Sequence, residues 1–218
     1  MIKKIFIYSI IIIIITFLIY LIWQKKTGKT LNIYNRAKNF NMKASDLIFA
    51  YLIIKNKDAF LNKVIDVSNN IGLKSPNHLM AVMYKESGLN SKARNPVGGA
   101  TGLIQFMPRT AEALGTTTAL LYNMDSVQQL DYVEKYFLEI KKWTHKELNT
   151  YEDLYLATFW PNALGKPDDY IIQSKKLSKE LIALQNKIID LNKDGIITVG
   201  EFREYTRRRL GKDILAKL

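Results

Sequence analysis

The feature that most restricts the fold is an uncharged, apolar segment near the N-terminus. From Ile5 to Trp23 the chain consists almost entirely of Ile, Leu, Phe and Tyr. At about 1.5 Å of rise per residue, a helix of this length crosses most of a hydrocarbon core of roughly 30 Å. Because the run is long and no small-x-small cleavage site follows it, we predict an uncleaved transmembrane helix rather than a signal peptide. Lysines flank both ends, so the positive-inside rule does not define its orientation.

Composition limits the chemistry of the rest of the chain. The 218 residues include no cysteine, which excludes disulfides and thiolate zinc sites. The two histidines, His78 and His145, are far apart in the sequence, so we expect neither a histidine metal site nor a catalytic triad. A net charge of +12 favours polyanionic surroundings such as nucleic acid, anionic lipid or an anionic cell wall.

Apolar spacing and composition divide the chain into four parts. We assign residues 1–24 to the anchor, 25–43 to a basic tether, 44–174 to a mainly helical domain and 175–218 to a C-terminal helix–loop–helix packed on it. Turn signals between Ser91 and Gly102 predict at most a small hairpin. The predicted helices of the domain are Ala44 to Lys55, Asp58 to Asn70, a helix ending at Glu86, Arg109 to Leu114, Ser126 to Trp143 and Glu152 to Phe159.

One carboxylate stands where a helix is expected to end. Ser75 before Pro76 is typical of a helix start, and Gly88 of a helix end. Glu86 then lies in the last turn, where the negative end of the helix dipole disfavours its ionisation. A desolvated Glu86 would keep its proton toward neutral pH, as a general acid requires. A solvated surface glutamate beside a glycine turn is the alternative.

Two sequence motifs resemble a known family. Glu86-Ser87, followed by Gly102-Leu103-Ile104-Gln105 running into Phe106-Met107-Pro108-Arg109-Thr110-Ala111, resembles the lytic transglycosylases with a goose-type-lysozyme-like (SLT) domain, including phage-borne members. The resemblance covers roughly Asp58 to Tyr170. It implies a mainly α, lysozyme-like domain with a groove for peptidoglycan glycan strands.

The resemblance also implies roles for individual residues. Glu86 matches the sole acid/base, which cleaves the β-1,4 bond between N-acetylmuramic acid (MurNAc) and N-acetylglucosamine (GlcNAc) while the muramoyl 6-hydroxyl closes a 1,6-anhydro ring. Ser87 and Gln105 match substrate-contacting positions, and Gly102 would let the backbone approach the sugar. No acidic residue follows Gln105 to hold a hydrolytic water, which favours a transglycosylase over a hydrolysing muramidase.

The third motif of the family has only a distorted counterpart, between Ala157 and Gly165. Asn162 can be matched to it, and Phe159 and Trp160 are candidates to line a sugar subsite, with core packing as the alternative. The tyrosine expected to support the catalytic glutamate is absent there. The other tyrosines that could supply its hydroxyl are Tyr84, Tyr132, Tyr151 and Tyr155.

A second motif near the C-terminus satisfies the EF-hand loop pattern. Its Gly195 occupies the sharp turn, and apolar Ile197 is expected to pack inward. We predict a structural Ca²⁺ site, with a simple helix connector as the alternative. The candidate ligands are Asp190, Asn192, Asp194, the carbonyl of Ile196, Thr198 and Glu201.

These features together favour a membrane-anchored peptidoglycan lytic transglycosylase, held in the lipid by residues 5–23. Its catalytic domain would face peptidoglycan, in a bacterial envelope or in a phage virion with an internal membrane. A non-catalytic peptidoglycan-binding or assembly protein on the same scaffold is the alternative. Nucleic acid is not expected as a partner, since the chain lacks an aromatic-basic binding motif.

Overall fold

The computed structural model describes residues 42–218. The predicted anchor, residues 1–24, and all but the last two residues of the tether, 25–43, lie outside the described residues. Between residues 42 and 218, no helix is both long enough and apolar enough to cross a membrane.

Residues 42–218 are mainly helical, as predicted, and contain no β-strand, only isolated bridges. Short 3-10 turns occur at Ala44–Asp46, Ala50–Leu52 and Pro161–Ala163. The α-helices, numbered in chain order, are α1 Lys57–Ile71, α2 Pro76–Ser87, α3 Pro108–Ala113, α4 Thr118–Asn123, α5 Ser126–Thr144, α6 Tyr151–Phe159, α7 Lys179–Gln185, α8 Val199–Leu210 and α9 Lys212–Leu215.

The core forms where the longer helices cross. Helix α1 packs on α5 and α2, α2 packs on α6, and α6 packs on α8. Phe60, Leu79, Val133 and Leu154, one from each of the first four of these helices, are completely buried. Burying such a side chain contributes roughly 1.5–3 kcal/mol. The helix that carries Glu86 is therefore held on both sides by apolar packing.

Local signals defined most of the helix boundaries correctly. Helix α1 ends at Gly72, which has a φ of 83° and accommodates the left-handed conformation without strain. Helix α5 begins with a capping box, in which Asp125 accepts from the backbone of Gln128 and Gln128 returns the bond. The predicted span Ser126 to Trp143 thus differs from the observed one by a single residue.

The predicted helix from Ala44 to Lys55 is wrong. Only the two 3-10 turns form there, because Phe49 adopts a left-handed φ of 61° that interrupts any α-helix. The Phe49 ring is buried and stacks on Tyr84, with 3.9 Å between ring centroids. Tertiary packing of this one ring outweighs the helical spacing of its neighbours.

The crossing between α2 and α3 folds back on itself as the turn signals indicated. Thr101 forms antiparallel bridges with both Arg94 and Phe106, although neither bridge extends into a strand. The Gly102 N–H donates to the Ala93 carbonyl at 2.8 Å. This compact double turn returns the chain to the end of α2 and places Gln105 in the same cleft as Glu86.

Candidate active site

The candidate active site is a cleft of about 720 Å³ at the C-terminal end of α2. Ser75 caps the start of this helix by accepting from the Asn77 N–H at 3.2 Å, and Gly88 ends it with a φ of 64°. Glu86 lies in the last turn, half-buried, and lines the cleft. The capping signals therefore correctly predicted that Glu86 lies in the last turn of a helix.

The environment of Glu86 favours its protonated form. Burial raises the pKa of the Glu86 carboxyl to about 7, because the ionised form loses hydration. The polar hydroxyl of Tyr155 and the positive charge of Arg209 act in the opposite direction and lower this pKa. Burial dominates, so close to neutral pH both protonation states of Glu86 are populated, as a group that first donates and then accepts a proton requires.

Tyr155, in α6, is the candidate tyrosine that lines the cleft with Glu86, and its hydroxyl lowers the pKa of the Glu86 carboxyl. Burial raises the pKa of Tyr155 far above its ordinary value, so its hydroxyl stays protonated. The ring of Tyr84 instead stacks on Phe49, and the buried hydroxyl of Tyr151 has no hydrogen-bond partner among the described residues. Neither of these two tyrosines nor Tyr132 lines the cleft.

Gln105 lines the cleft in a left-handed conformation, with a φ of 53°. Its side-chain amide donates to the Gly102 carbonyl at 3.0 Å and approaches that of Ala93 at 3.4 Å. These bonds orient the amide group, which leaves its carbonyl oxygen as the atom available to accept from a ligand.

Ser87 links the two motifs rather than lining the cleft. Its hydroxyl lies 2.9 Å from the Leu103 carbonyl and 3.0 Å from the Met83 carbonyl in the preceding turn. A hydroxyl has one hydrogen, so it donates to one of these acceptors at a time. The contact with Leu103 joins the end of α2 to the segment that carries Gln105.

Gly102 is buried and packs against the side chain of Gln129. A Cβ at this position would lie 2.4 Å from Oε1 of Gln129, and φ is 85°. Gln129 is completely buried and tightly held: it accepts from Leu103 N–H at 2.9 Å and donates to the carbonyls of Ser91 and Leu121. Close packing on Gln129 thus accounts for glycine here without a sugar. Sequence reasoning did not identify Gln129, whose isolated polar side chain on α5 carries no local signal.

Of the three residues assigned to the third motif, only one lines the cleft. Phe159 lines the cleft, whereas Trp160 does not, and its indole N–H is buried without a hydrogen-bond partner among the described residues. Asn162 is exposed in the Pro161–Ala163 turn and does not line the cleft either. The position of Phe159 is set by Phe202 of α8, since the two rings stack with centroids 4.9 Å apart at 14°.

The C-terminal part of the chain supplies a wall of the cleft that sequence reasoning did not identify. Residues 184–189, which comprise the last two residues of α7 and the turn after it, line the cleft together with Glu86 and with Phe202 and Tyr205 of α8. Arg209 continues this side, donating to the Tyr205 hydroxyl at 2.9 Å. Nothing in the sequence pattern of these residues indicates contact with a helix about a hundred residues earlier.

The predicted calcium loop joins α7 to α8 beside this wall. Lys193 and Gly195 adopt positive φ angles of 62° and 81°, and Ile197 is completely buried, as predicted. The Ile197 carbonyl accepts from the Ile172 N–H at 2.8 Å, so this loop pairs with residues 170–172. Between residues 42 and 218, no group of three or more His, Cys, Asp or Glu side chains is arranged to hold a metal ion.

The predicted calcium ligands are engaged in hydrogen bonds within the loop. Asp190 accepts from the Gly195 N–H at 3.0 Å, and Glu201 accepts from the Thr198 N–H at 2.9 Å as part of the capping box that starts α8. Asn192 donates to Asp194 at 3.0 Å, and Asp194 also accepts from the Ile196 N–H at 3.0 Å.

The comparison with protein families identifies the domain. Residues 63–135 match the model of the Transglycosylase SLT domain. The chain carries an SLT domain. This confirms the resemblance and the enzyme class predicted from the two motifs: the domain is that of lytic transglycosylases, lyases that act on the glycan strands of peptidoglycan. None of the solved structures matches the chain. The matched residues include Glu86 and Gln105 and end within α5, before Tyr155.

Proposed function

We propose that Glu86 is the sole acid and base of this lytic transglycosylase, which cleaves the β-1,4 bond between MurNAc and GlcNAc. The observation that carries the proposal is that Glu86 is the only carboxylate among the described residues lining the cleft. Two-carboxylate glycosidases need a second acid to activate water or attack the sugar. A single carboxylate with a pKa of about 7 suits a reaction in which the substrate supplies its own nucleophile.

The proposed reaction uses one proton in two steps. Protonated Glu86 gives its proton to the glycosidic oxygen, and the bond from that oxygen to C1 of MurNAc breaks. The resulting carboxylate then accepts the proton of the muramoyl 6-hydroxyl. At the same time the oxygen of this hydroxyl bonds to C1, which closes the 1,6-anhydro ring. Glu86 ends protonated, no water is consumed, and GlcNAc leaves with a free hydroxyl.

Neighbouring groups would support each step. The Tyr155 hydroxyl stabilises the carboxylate formed after the first proton transfer, since it remains a hydrogen-bond donor at every physiological pH. The amide carbonyl of Gln105, oriented by its bond to Gly102, can accept from a sugar hydroxyl or acetamido N–H. Gln105 would thereby hold the sugar, and Tyr155 would stabilise Glu86, in the geometry that the reaction requires.

Product analysis tests this function. Purified protein is incubated with peptidoglycan sacculi, and the released fragments are analysed by mass spectrometry. The proposal expects fragments ending in 1,6-anhydro-MurNAc. Fragments heavier by one water, with reducing ends, would instead identify a hydrolysing muramidase. Binding to sacculi without cleavage at any pH would identify a non-catalytic binding or assembly protein.

We also propose that residues 5–23 anchor the enzyme in a membrane with its catalytic domain facing peptidoglycan. The uncharged apolar composition of this segment supports the proposal. The full chain should sediment with lipid vesicles after a high-salt wash, whereas residues 42–218 alone should remain in solution. Equal sedimentation of the two proteins would contradict the anchor. Immunodetection in bacterial envelopes or in purified virions would distinguish a wall-remodelling enzyme from a phage entry enzyme.

We further propose that the loop from Asp190 to Glu201 binds Ca²⁺ in a structural role. Its six candidate ligands all supply oxygen atoms, and its turns at Lys193 and Gly195 suit an EF-hand. Because the ion would bind the folded state, Ca²⁺ at about 100 times its dissociation constant should stabilise the protein by about 2.7 kcal/mol.

Thermal unfolding of the metal-free protein, followed with and without added Ca²⁺, measures this effect. The Asp190→Ala variant should lose the Ca²⁺-dependent increase in Tm, and Asp213→Ala, at an exposed acid of α9, should keep it. An unchanged Tm of the parent protein in Ca²⁺ and in chelator would reject the proposal.

A further inference from the structure

The cleft that contains Glu86 has a second side built outside the residues that match the SLT family. The first side consists of the end of α2 and the turn carrying Gln105. The second side consists of residues 184–189, followed by Phe202 and Tyr205 from α8. A ligand bound beside Glu86 therefore has this C-terminal wall on one side.

The wall is held in a defined position. Ile189 is buried in the core, and its N–H donates to the Asn186 carbonyl at 2.8 Å. The Asn186 side chain in turn donates to the Ile182 carbonyl at 2.9 Å, which closes the end of α7. The end of α7 and the turn of residues 186–189 are consequently fixed by hydrogen bonds and by the burial of Ile189.

Two apolar side chains of this wall, one from α7 and one from the turn after it, are exposed to solvent. Leu184 is 60% exposed and Ile188 is 68% exposed, and both line the cleft. Single exposed apolar residues are common on protein surfaces and need no explanation. Here, however, the two lie in one cavity with Phe159, whose ring is itself fixed by stacking on the buried Phe202.

Polar groups accompany this apolar surface. The polar residues that line the cleft beside this surface are Gln185, Asn186 and Lys187 of the wall and Asn95 and Gln105 of the opposite side. Ligand sites typically combine such an apolar lining with a few oriented polar groups. The apolar C–H faces of N-acetylated sugar rings suit the apolar lining, and their hydroxyl and acetamido groups suit the polar side chains.

We propose that Leu184 and Ile188, together with Phe159, form a binding subsite for the N-acetylated sugar rings of the glycan strand. The proposal rests on the function assigned above and locates part of the substrate contact outside the matched family segment. These three side chains carry no ionisable group, so they contribute to affinity and not to proton transfer.

Binding is measured in the Glu86→Gln background, so that the ligand is not consumed. Peptide-free peptidoglycan glycan strands are titrated into this protein and into a Leu184→Ser/Ile188→Ser derivative. Losing two apolar contacts should weaken binding about tenfold. The matched control is Leu120→Ser/Leu138→Ser, which alters two other exposed apolar residues, on α4 and α5, that do not line the cleft.

The wall and control substitutions are also compared in the protein that retains Glu86. Substitution of the wall should raise KM for glycan strands about tenfold and leave kcat and its pH profile unchanged, because Glu86 and Tyr155 are untouched. Affinity equal to that of the control, or an absence of strand binding in all proteins, would overturn the subsite. Failure to find anhydro products from the parent enzyme would instead overturn the proposed chemistry, which the binding measurement does not depend on.

Discussion

The matched SLT segment and the chain beyond it contribute differently to the same cleft. Residues 63–135 provide Glu86 and Gln105, on a helix end and a turn defined by local signals. The chain after residue 135 provides Tyr155 and the wall, and it provides the charge of Arg209 near Glu86. The matched segment thus contains the candidate acid, while Tyr155 and Arg209, which the family match does not include, partly offset the rise in pKa that burial of Glu86 causes.

Glu86→Gln tests the contribution of the matched segment and should have the largest effect. General acid–base catalysis typically contributes 10²–10⁴-fold, and this enzyme has no second carboxylate in the described cleft, so kcat should fall by about 10³-fold or more. Release of anhydro fragments from sacculi measures the loss. The control is Glu112→Gln, an exposed glutamate on α3, which should retain full activity. Comparable rates for the two variants would remove Glu86 from its proposed role.

Gly102→Ala tests whether packing within the matched segment explains this glycine. The added Cβ would meet the buried Gln129 at 2.4 Å, so the variant should lose on the order of 2 kcal/mol of unfolding free energy. Gly88→Ala is the matched control, since φ is also positive there but no atom lies within 4 Å. It should lose only the conformational cost of about 1 kcal/mol. Equal losses in urea unfolding would show that the Gln129 contact is unimportant.

Tyr155→Phe tests whether the Tyr155 hydroxyl, in α6, supports the function of Glu86. The variant keeps the ring packed on Phe202 but removes the hydroxyl that stabilises ionised Glu86. A hydrogen bond to a charged group is worth about 1.5–3 kcal/mol, so kcat should fall by at least about tenfold. Circular dichroism should show an intact fold. Tyr122→Phe, at an exposed tyrosine of α4, is the control, and a rate like that of the control would argue against a role for the Tyr155 hydroxyl.

Arg209→Gln should produce the smallest effect, a shift in pH dependence. The positive charge of Arg209 lowers the pKa of Glu86, so its removal should raise that pKa further. The protonated acid then persists to higher pH, and the alkaline limb of kcat against pH should move upward. Arg208→Gln is the control, because Arg208 binds Glu204 at 2.7 Å outside the cleft. An unchanged alkaline limb would show that the charge of Arg209, in α8, does not influence the pKa of Glu86.

Features governed by neighbouring residues were predictable. Ser75, Pro76 and Gly88 correctly defined the helix that carries Glu86, because capping and chain termination depend on a few adjacent residues. The short helices α4 and α9 were missed, since six and four residues are too few to show a helical period. Where local preference met a tertiary contact, as at Phe49, the contact prevailed.

The sequence by itself determined the enzyme class and the position of the candidate acid, and its lack of cysteine excludes thiol chemistry. Only the tertiary structure decided which tyrosine reaches Glu86, why position 102 is glycine and that residues 184–189 form a wall of the cleft. These depend on contacts between residues far apart along the chain, such as Glu86 and Tyr155. Helix periodicity and capping describe neighbours in sequence, whereas a pKa depends on whichever groups the packed helices bring within reach.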